Sequence, residues 1–261
     1  MNILIAGAGG FIGGHLMKRL KSQGHSLICA DIKPLEYWFQ IDEDNKNFSI
    51  DLKDYENCKT IFKSKIDFVF NMACNMGGMG FIENNKAECM LSVLINTNLL
   101  RASHENKIQK YLFSSSACVY NADKQKETFI EGLKEGDAYP AMPEDGYGWE
   151  KLFSERMCRH FYEDYNLDIR IVRYHNVFGP VGTFDGGREK APAALCRKVI
   201  NAKINNEKVV EVWGDGKQTR TFLYIDDCIE GTLNVFNGNY RDVFNIGSDE
   251  QVSINQMLDM I

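Results

Sequence analysis

The chain of 261 residues lacks an excess of positive charge, a cysteine pair at metal-ligand spacing and any apolar run long enough to cross a bilayer. Its net charge of −6 gives no basic footprint. No stripe of Lys and Arg interleaved with aromatics compensates, so nucleic acid is not an expected partner. The eight cysteines are scattered, with no Cys-x-x-Cys and no His at ligand spacing. Free thiols in a reducing cytoplasm are therefore expected, and no metal site. Met1-Asn2-Ile3-Leu4-Ile5-Ala6 runs straight into a glycine turn, without the charged start and apolar stretch of a signal peptide. Neither export nor membrane association is expected.

What the chain does have is an ordinary globular composition, 44% hydrophobic, enough for a substantial core with a smaller lobe. Short β-rich runs at Asn2 to Ala6, Ser26 to Asp31, Phe68 to Met72, Lys110 to Phe113 and Ile169 to Arg173 alternate with segments of helical period. The helical segments are Phe11 to Gln23, Tyr55 to Lys63, Asn85 to Asn106 and Tyr147 to Tyr165. Such alternation predicts right-handed βαβ units and a doubly wound α/β fold, a Rossmann-like parallel sheet covered on both faces. After Asn176 the pattern loosens into glycine turns, a helix near Ala191 to Asn201 and short strands around Val209 to Trp213 and Thr219 to Leu223. The expected division is a cofactor-binding domain over 1–175 and a smaller C-terminal substrate lobe over 176–261, the chain returning to the first domain near 220–247. The lobe reads as incomplete, because the last helix has just begun where the sequence stops at Ile261.

Gly7-Ala8-Gly9-Gly10-Phe11-Ile12-Gly13 follows the first strand and opens the first helix. Gly7, Gly10 and Gly13 allow a tight turn and close backbone approach, with Phe11 and Ile12 at the helix start, where a pyrophosphate binds helix N–H groups. Asp31 ends the second strand, where a carboxylate bonds the adenosine ribose hydroxyls and repels a 2′-phosphate, which favours NAD over NADP. Asp51, after a third short strand, is placed at the adenine edge.

Tyr147 and Lys151 stand four apart at the start of a helix, on one face. By itself Tyr-x-x-x-Lys is a common surface pattern; behind a dinucleotide fingerprint it reads as a phenol whose pKa an ammonium, with the positive nicotinamide of oxidised cofactor close by, brings down. Ser116, at the end of a Ser-rich strand, would hydrogen-bond the same substrate oxygen. The set Gly7-x-x-Gly10-x-x-Gly13, Ser116, Tyr147-x-x-x-Lys151 and Arg220-Thr221-Phe222-Leu223-Tyr224-Ile225-Asp226-Asp227 resembles the extended short-chain dehydrogenase/reductase superfamily of sugar-nucleotide epimerases and dehydratases. The resemblance implies a Rossmann sheet, a C-terminal substrate lobe, tightly held NAD and a homodimer formed through helices flanking the sheet.

Cys118 lies two residues past Ser116, and Lys190 with Glu189 in a Gly-rich loop. Once a neighbouring hydroxyl is oxidised to a ketone, the adjacent carbon-bound hydrogens become acidic enough for a general base. A cysteine serves as that base only as thiolate, which a nearby cation such as Lys190 favours. Inversion needs a second group on the opposite face of the ring, and Lys190 can be that group.

Four longer blocks narrow the resemblance: Met76-Gly77-Gly78-Met79-Gly80-Phe81-Ile82, Ser115-Ser116-Ala117-Cys118-Val119-Tyr120, Arg173-Tyr174-His175-Asn176-Val177-Phe178-Gly179-Pro180 and Gly186-Gly187-Arg188-Glu189-Lys190-Ala191-Pro192. They are similar to the GDP-mannose 3,5-epimerase branch. That likeness implies a GDP-sugar substrate, oxidation at carbon 4 through Tyr147 and NAD, and Cys118 and Lys190 as the acid/base pair at carbons 3 and 5. It further implies substrate contacts at Gly77, Ser116, Asn176, Glu189, Lys198, Gln218, Thr219 and Arg220. His175 is read as a packing residue. Asn75 stands where that branch is expected to carry an acid, and the stretch from Lys203 to Glu211 looks longer. An epimerase or dehydratase acting on another sugar nucleotide, and a non-catalytic NAD-binding sensor, are the alternatives.

Overall fold

In the computed structural model, which describes residues 1–125 and 132–261, alternating strands and helices build one parallel sheet. The elements of its first half are β1 (Asn2–Ala6), α1 (Phe11–Ser22), β2 (Ser26–Asp31), β3 (Lys46–Ser49), α2 (Tyr55–Ile61), β4 (Phe68–Asn71), α3 (Met79–Asn84), α4 (Lys86–Met90), α5 (Val93–Glu105) and β5 (Lys110–Ser116). Then follow α6 (Tyr147–Tyr165), β6 (Ile169–Tyr174), β7 (Val177–Phe178), α7 (Ala191–Ile204), β8 (Thr219–Thr221), β9 (Leu223–Tyr224), α8 (Ile225–Asn237), β10 (Val243–Ile246), β11 (Gln251–Ser253) and α9 (Ile254–Met260). Seven strands form the sheet in the order β10-β6-β5-β4-β1-β2-β3, every neighbouring pair parallel.

Period-two alternation sorts the strand residues onto two apolar layers. Ile3, Ile5, Phe70, Leu112 and Val172 face α1 and α8, whereas Leu4, Ala6, Val69, Phe113 and Ile171 face α2, α5 and α6. A sheet buried on both sides explains why its strands read as near-continuous hydrophobic runs. Each fully buried aliphatic side chain is worth about 1.5–3 kcal/mol relative to exposure. The helices offer matching stripes: α1 buries Leu16, Met17 and Leu20.

The strand order reverses between β1 and β4, which places a crevice beyond their carboxyl ends. Ala6 pairs with Asn71 there, and one strand further on Ser116 pairs with Tyr174. Outside the sheet, β7 pairs with β9, and β8 pairs antiparallel with β11.

Two sequence expectations fail locally. The helical stretch from Asn85 to Asn106 breaks into α4 and α5; at the junction Ser92 is buried and its hydroxyl accepts from the Asn75 N–H at 2.9 Å. The run Val209 to Trp213 forms no strand, for its ends are 79% and 78% exposed and it pairs with no other strand among the described residues. No helix among those residues is long and apolar enough to cross a membrane.

Candidate active site

The loop between β1 and α1 is shaped by what side chains it excludes. Gly7 has φ +83°, and a Cβ there would lie 2.7 Å from the backbone of Met72 and Ala73, after β4. A Cβ on Gly13 would run into the Gly7 carbonyl oxygen. Gly10 caps α1 without a side-chain hydrogen bond, so no side chain occupies the leading N–H groups of the helix. A narrow glycine cradle at an uncapped helix N-terminus fits a pyrophosphate, and the residues present fit NAD.

Asp31 ends β2, and its carboxylate accepts from the Lys33 N–H at 2.9 Å. Burial pushes this carboxyl upward, opposed by that bond, by the Lys33 charge and by the Gly9 N–H. Asp51 lies on the neighbouring strand end, since Ile50 donates to the Asp31 carbonyl at 2.7 Å. Its own carboxylate closes a turn on the Lys53 N–H at 2.9 Å.

The start of α6 is docked on the turn after β5. Glu144 donates its N–H to the Cys118 carbonyl at 3.0 Å and accepts from the Gly148 N–H at 2.8 Å. That pairing carries Tyr147 to the turn of Ser116 and Cys118: Tyr147 packs with Cys118, and the Ser116 hydroxyl accepts from the Cys118 N–H at 3.2 Å. The expected low phenol pKa is not a property of the fold itself. Burial pushes Tyr147 well above its ordinary value, Cys74, Cys118 and Glu150 push the same way, and Ser116 opposes them. Lys151 is committed elsewhere: its amine donates to the Ser114 carbonyl at 2.9 Å, 5.6 Å from the Tyr147 ring centre. Burial works against that ammonium, but Cys74, Glu150, Cys158 and Glu155 outweigh it and raise its pKa. Lys151 is thus drawn toward its ammonium form under the site, and the further charge that would lower the phenol is the positive nicotinamide of oxidised NAD.

Cys118 and Lys190 are electrostatic partners although 72 positions apart. Burial raises the thiol, opposed by the Ser116 hydrogen bond and by Lys190. Burial lowers the Lys190 amine, opposed by Cys118, Cys74 and Cys228. Each draws the other toward its charged form, while exclusion of water works against both charges. A thiol and an amine so poised can exchange protons with carbon. Glu189, next to Lys190, binds Arg197 through Oε1 at 2.8 Å and keeps a buried Oε2 without a hydrogen-bond partner. That free oxygen suits a sugar hydroxyl.

The fold brings Gly77, Ser116, Cys118, Tyr147, Lys151, Glu189 and Lys190 to one end of the sheet. Gly77 is buried against Phe81, and a Cβ on adjacent Gly78 would lie 2.6 Å from the Glu189 carbonyl. Asn176 donates to the Thr221 carbonyl at 3.1 Å. No hydrogen bond or ion pair ties Lys198, Gln218, Thr219 or Arg220 to Cys118 or Tyr147 among the described residues. Lys198 on α7 donates to the Glu211 carbonyl at 2.9 Å, Gln218 to the Trp213 carbonyl at 2.9 Å, and Arg220 projects exposed from β8. His175 packs under Gly247 with Nε2 3.2 Å from the Asn245 side-chain oxygen, and burial lowers its pKa.

Residues 3–247 match the model of the NAD dependent epimerase/dehydratase family. The chain belongs to this family. Among curated relatives, GDP-mannose 3,5-epimerase of Arabidopsis thaliana and GDP-mannose 3,5-epimerase 1 of Oryza sativa are each 45% identical over all of this chain and 68% of their own length. UDP-glucuronate 4-epimerase of Thermodesulfobacterium geofontis is 28% identical over 99% of this chain and 79% of its own. Among solved structures, UDP-glucuronic acid 4-epimerase of Bacillus cereus, in complex with UDP-glucuronic acid and NAD, superposes with TM-score 0.78 at 27% identity, covering 100% of this chain and 82% of that one. UDP-glucose 4-epimerase of Thermotoga maritima shares the fold with TM-score 0.88 at 24% identity, over 100% and 81% of the two chains. The protein is accordingly an NAD-dependent isomerase with a Rossmann-like fold.

Within this epimerase/dehydratase fold, two residues of the site escaped the motif reading. Arg188 donates to the Asn75 side-chain oxygen at 2.9 Å and to the Met76 carbonyl at 3.0 Å, and lies 3.8 Å from the Phe81 ring centre. It pins the Lys190 loop to the segment after β4. Cys74, on that same segment, packs with Cys118 and Tyr147. A run of glycines before Arg188 signals a loop, but nothing local signals what the loop binds.

Proposed function

We propose that the enzyme converts GDP-mannose to GDP-L-galactose by inverting carbons 3 and 5 of the sugar. What supports this reading is the electrostatic coupling of Cys118 to Lys190, with Cys118 packed against Tyr147 two residues past Ser116. A 4-epimerase needs only hydride transfer at one carbon, whereas two proton-exchanging groups next to the redox centre suit inversion at the carbons flanking a ketone. The 45% identity to proteins named GDP-mannose 3,5-epimerase supports the same substrate.

Bound NAD would supply a reversible hydride acceptor for carbon 4. The chain supplies the proton chemistry. Tyr147 takes the carbon-4 hydroxyl proton and later returns it, while Ser116 holds the same oxygen and Lys151 keeps a fixed positive charge below. Cys118 and Lys190 remove a carbon-bound proton on one face of the ring and deliver one on the other, at carbons 3 and 5. Gly77 and Glu189 line the sugar, Asn176 bonds its hydroxyls, and Lys198, Gln218, Thr219 and Arg220 hold the nucleotide diphosphate. Residues 1–175 bind the cofactor, with 176–261 as the substrate lobe, and a homodimer in the cytoplasm is the working form. Eight unpaired cysteines suit that reducing compartment.

Incubation with GDP-mannose in deuterium oxide tests the assignment. Deuterium is expected at carbons 3 and 5, read by NMR. Label at neither position sinks the 3,5-epimerase reading and leaves a simpler epimerase.

A further inference from the structure

Five glycines crowd the turn and first helix, but dinucleotide binding accounts for only three of them. Gly9 and Gly14 answer to a different neighbour. A Cβ on Gly9 would strike the Trp38 indole, and one on Gly14 would strike the Gln40 amide. Residues 33–40, after β2, therefore run as a strap across the glycine loop and the first turns of α1.

The strap is fastened at defined points. The Lys33 amine donates to the Gly9 carbonyl at 2.6 Å, and the Gln40 amide donates to the Ala8 carbonyl. The Trp38 indole N–H closes the strap on itself through the Lys33 carbonyl at 3.0 Å, and its ring is only 4% exposed. On the other side of the same peptides, Gly10 donates to the Gly7 carbonyl at 3.1 Å, and the Gly9 N–H counters the upward pull of burial on the Asp31 carboxyl. The peptide plane that follows Gly9 is thus held from both sides, and the one that follows Ala8 is held by the Gln40 amide. Asp31, the ribose-binding candidate, joins the same circuit through the Lys33 N–H.

We propose that Lys33, Trp38 and Gln40 are positioning residues for the cofactor: their strap locks the phosphate-binding loop and slows the release of NAD. The physical reason lies in the reaction class. An isomerase that takes a hydride and gives it back must keep the cofactor through the whole cycle. A loop free to flip its peptides would reopen the cradle, and pinning two carbonyls removes that freedom before the ligand arrives. The inference needs NAD and is independent of which sugar is bound.

The measurement is the exchange of bound NAD for isotope-labelled NAD in the purified holoenzyme, together with NAD content per chain. Gln40→Ala and Lys33→Met are expected to exchange at least tenfold faster and to retain less cofactor, with Lys33→Arg restoring slow exchange. Gly14→Ala, which leaves the cradle untouched and displaces Gln40, is expected to match Gln40→Ala, and the double variant is expected to be no worse than either single one. Exchange within twofold of the parent in Gln40→Ala and Lys33→Met overturns the proposal. So does a parallel fall in the thermal midpoint of NAD-stripped protein with no rescue by Lys33→Arg, which would mark the strap as structural only. Trp38→Phe keeps the packing and loses one donor; it is expected to fall between parent and Gln40→Ala.

Discussion

Arg188 and Asn75 meet side chain to side chain at 2.9 Å across the mouth of the sheet, 113 residues apart in sequence. Because Arg188 precedes Glu189 and Lys190, this tether sets where the amine and the free carboxylate oxygen stand relative to Cys118. Arg188→Ala is expected to lower kcat/KM by about 10–100-fold, equal to about 1.4–2.7 kcal/mol of transition-state stabilisation. Asn75→Asp replaces a neutral acceptor by a charged one and is expected to retain activity. Steady-state kinetics on the two variants decides it; an unchanged Arg188→Ala would show that the loop is positioned without the tether.

The Cys118 and Lys190 pair makes a prediction with a definite sign. Burial raises the thiol, and Lys190 counteracts that rise. Thiolate therefore accumulates only as pH climbs above the ordinary thiol range, and alkylation of Cys118 is expected to accelerate along that ascent. Lys190→Met removes the favourable cation, so the ascent moves to still higher pH and the rate at pH 8 falls. Peptide-resolved iodoacetamide labelling measures it, with exposed Cys196 as internal reference. A pH profile that Lys190→Met leaves in place would uncouple the two groups.

Much of this organisation is legible in the residues themselves. Strand runs such as Asn2–Ala6 and Ser26–Asp31 and the helix Tyr147–Tyr165 coincide with the observed elements, because burial on both faces leaves a strong local signature. Glycine spacing and the Tyr147–Lys151 interval likewise point to the crevice. Other features depend on contacts that no local pattern encodes. Val209 to Trp213 has β-branched and aromatic composition but pairs with no strand among the described residues, so propensity alone misleads. The four-residue spacing of Tyr147 and Lys151 does not reveal that the amine is drawn to the Ser114 carbonyl, 37 positions away. The Arg188 tether and the strap over Gly9 and Gly14 are equally tertiary, visible only once the loops are folded together.

Below the crevice, Arg173 makes a two-point bond with Glu155, Nε to Oε1 at 2.9 Å and Nη2 to Oε2 at 2.7 Å. Ser115 donates to the same carboxylate at 2.5 Å, so the pair anchors the strand end that carries Ser116. Both side chains are almost wholly buried. Arg173→Ala strands a carboxylate in the interior and is expected to cost about 3–5 kcal/mol. Urea unfolding reads this as a lower midpoint at unchanged slope, and a loss below about 1 kcal/mol would mean that water or another donor replaces the guanidinium.

Large apolar side chains stand exposed on the α5 and α6 helices. Leu94 on α5 is 41% exposed, and Trp149 and Phe153, one turn apart on α6, are 43% and 55% exposed. The two helices pack against each other, so these side chains share a side of the sheet. A subunit contact would bury such rings, each worth about 2 kcal/mol or more. In a twofold dimer every substitution acts twice, so Phe153→Glu places two carboxylates in one apolar interface. Light scattering is expected to report a dimer of 29.8 kDa chains for the parent and a single chain for Phe153→Glu. A parent that is already monomeric at micromolar concentration would remove this face from consideration as a subunit interface.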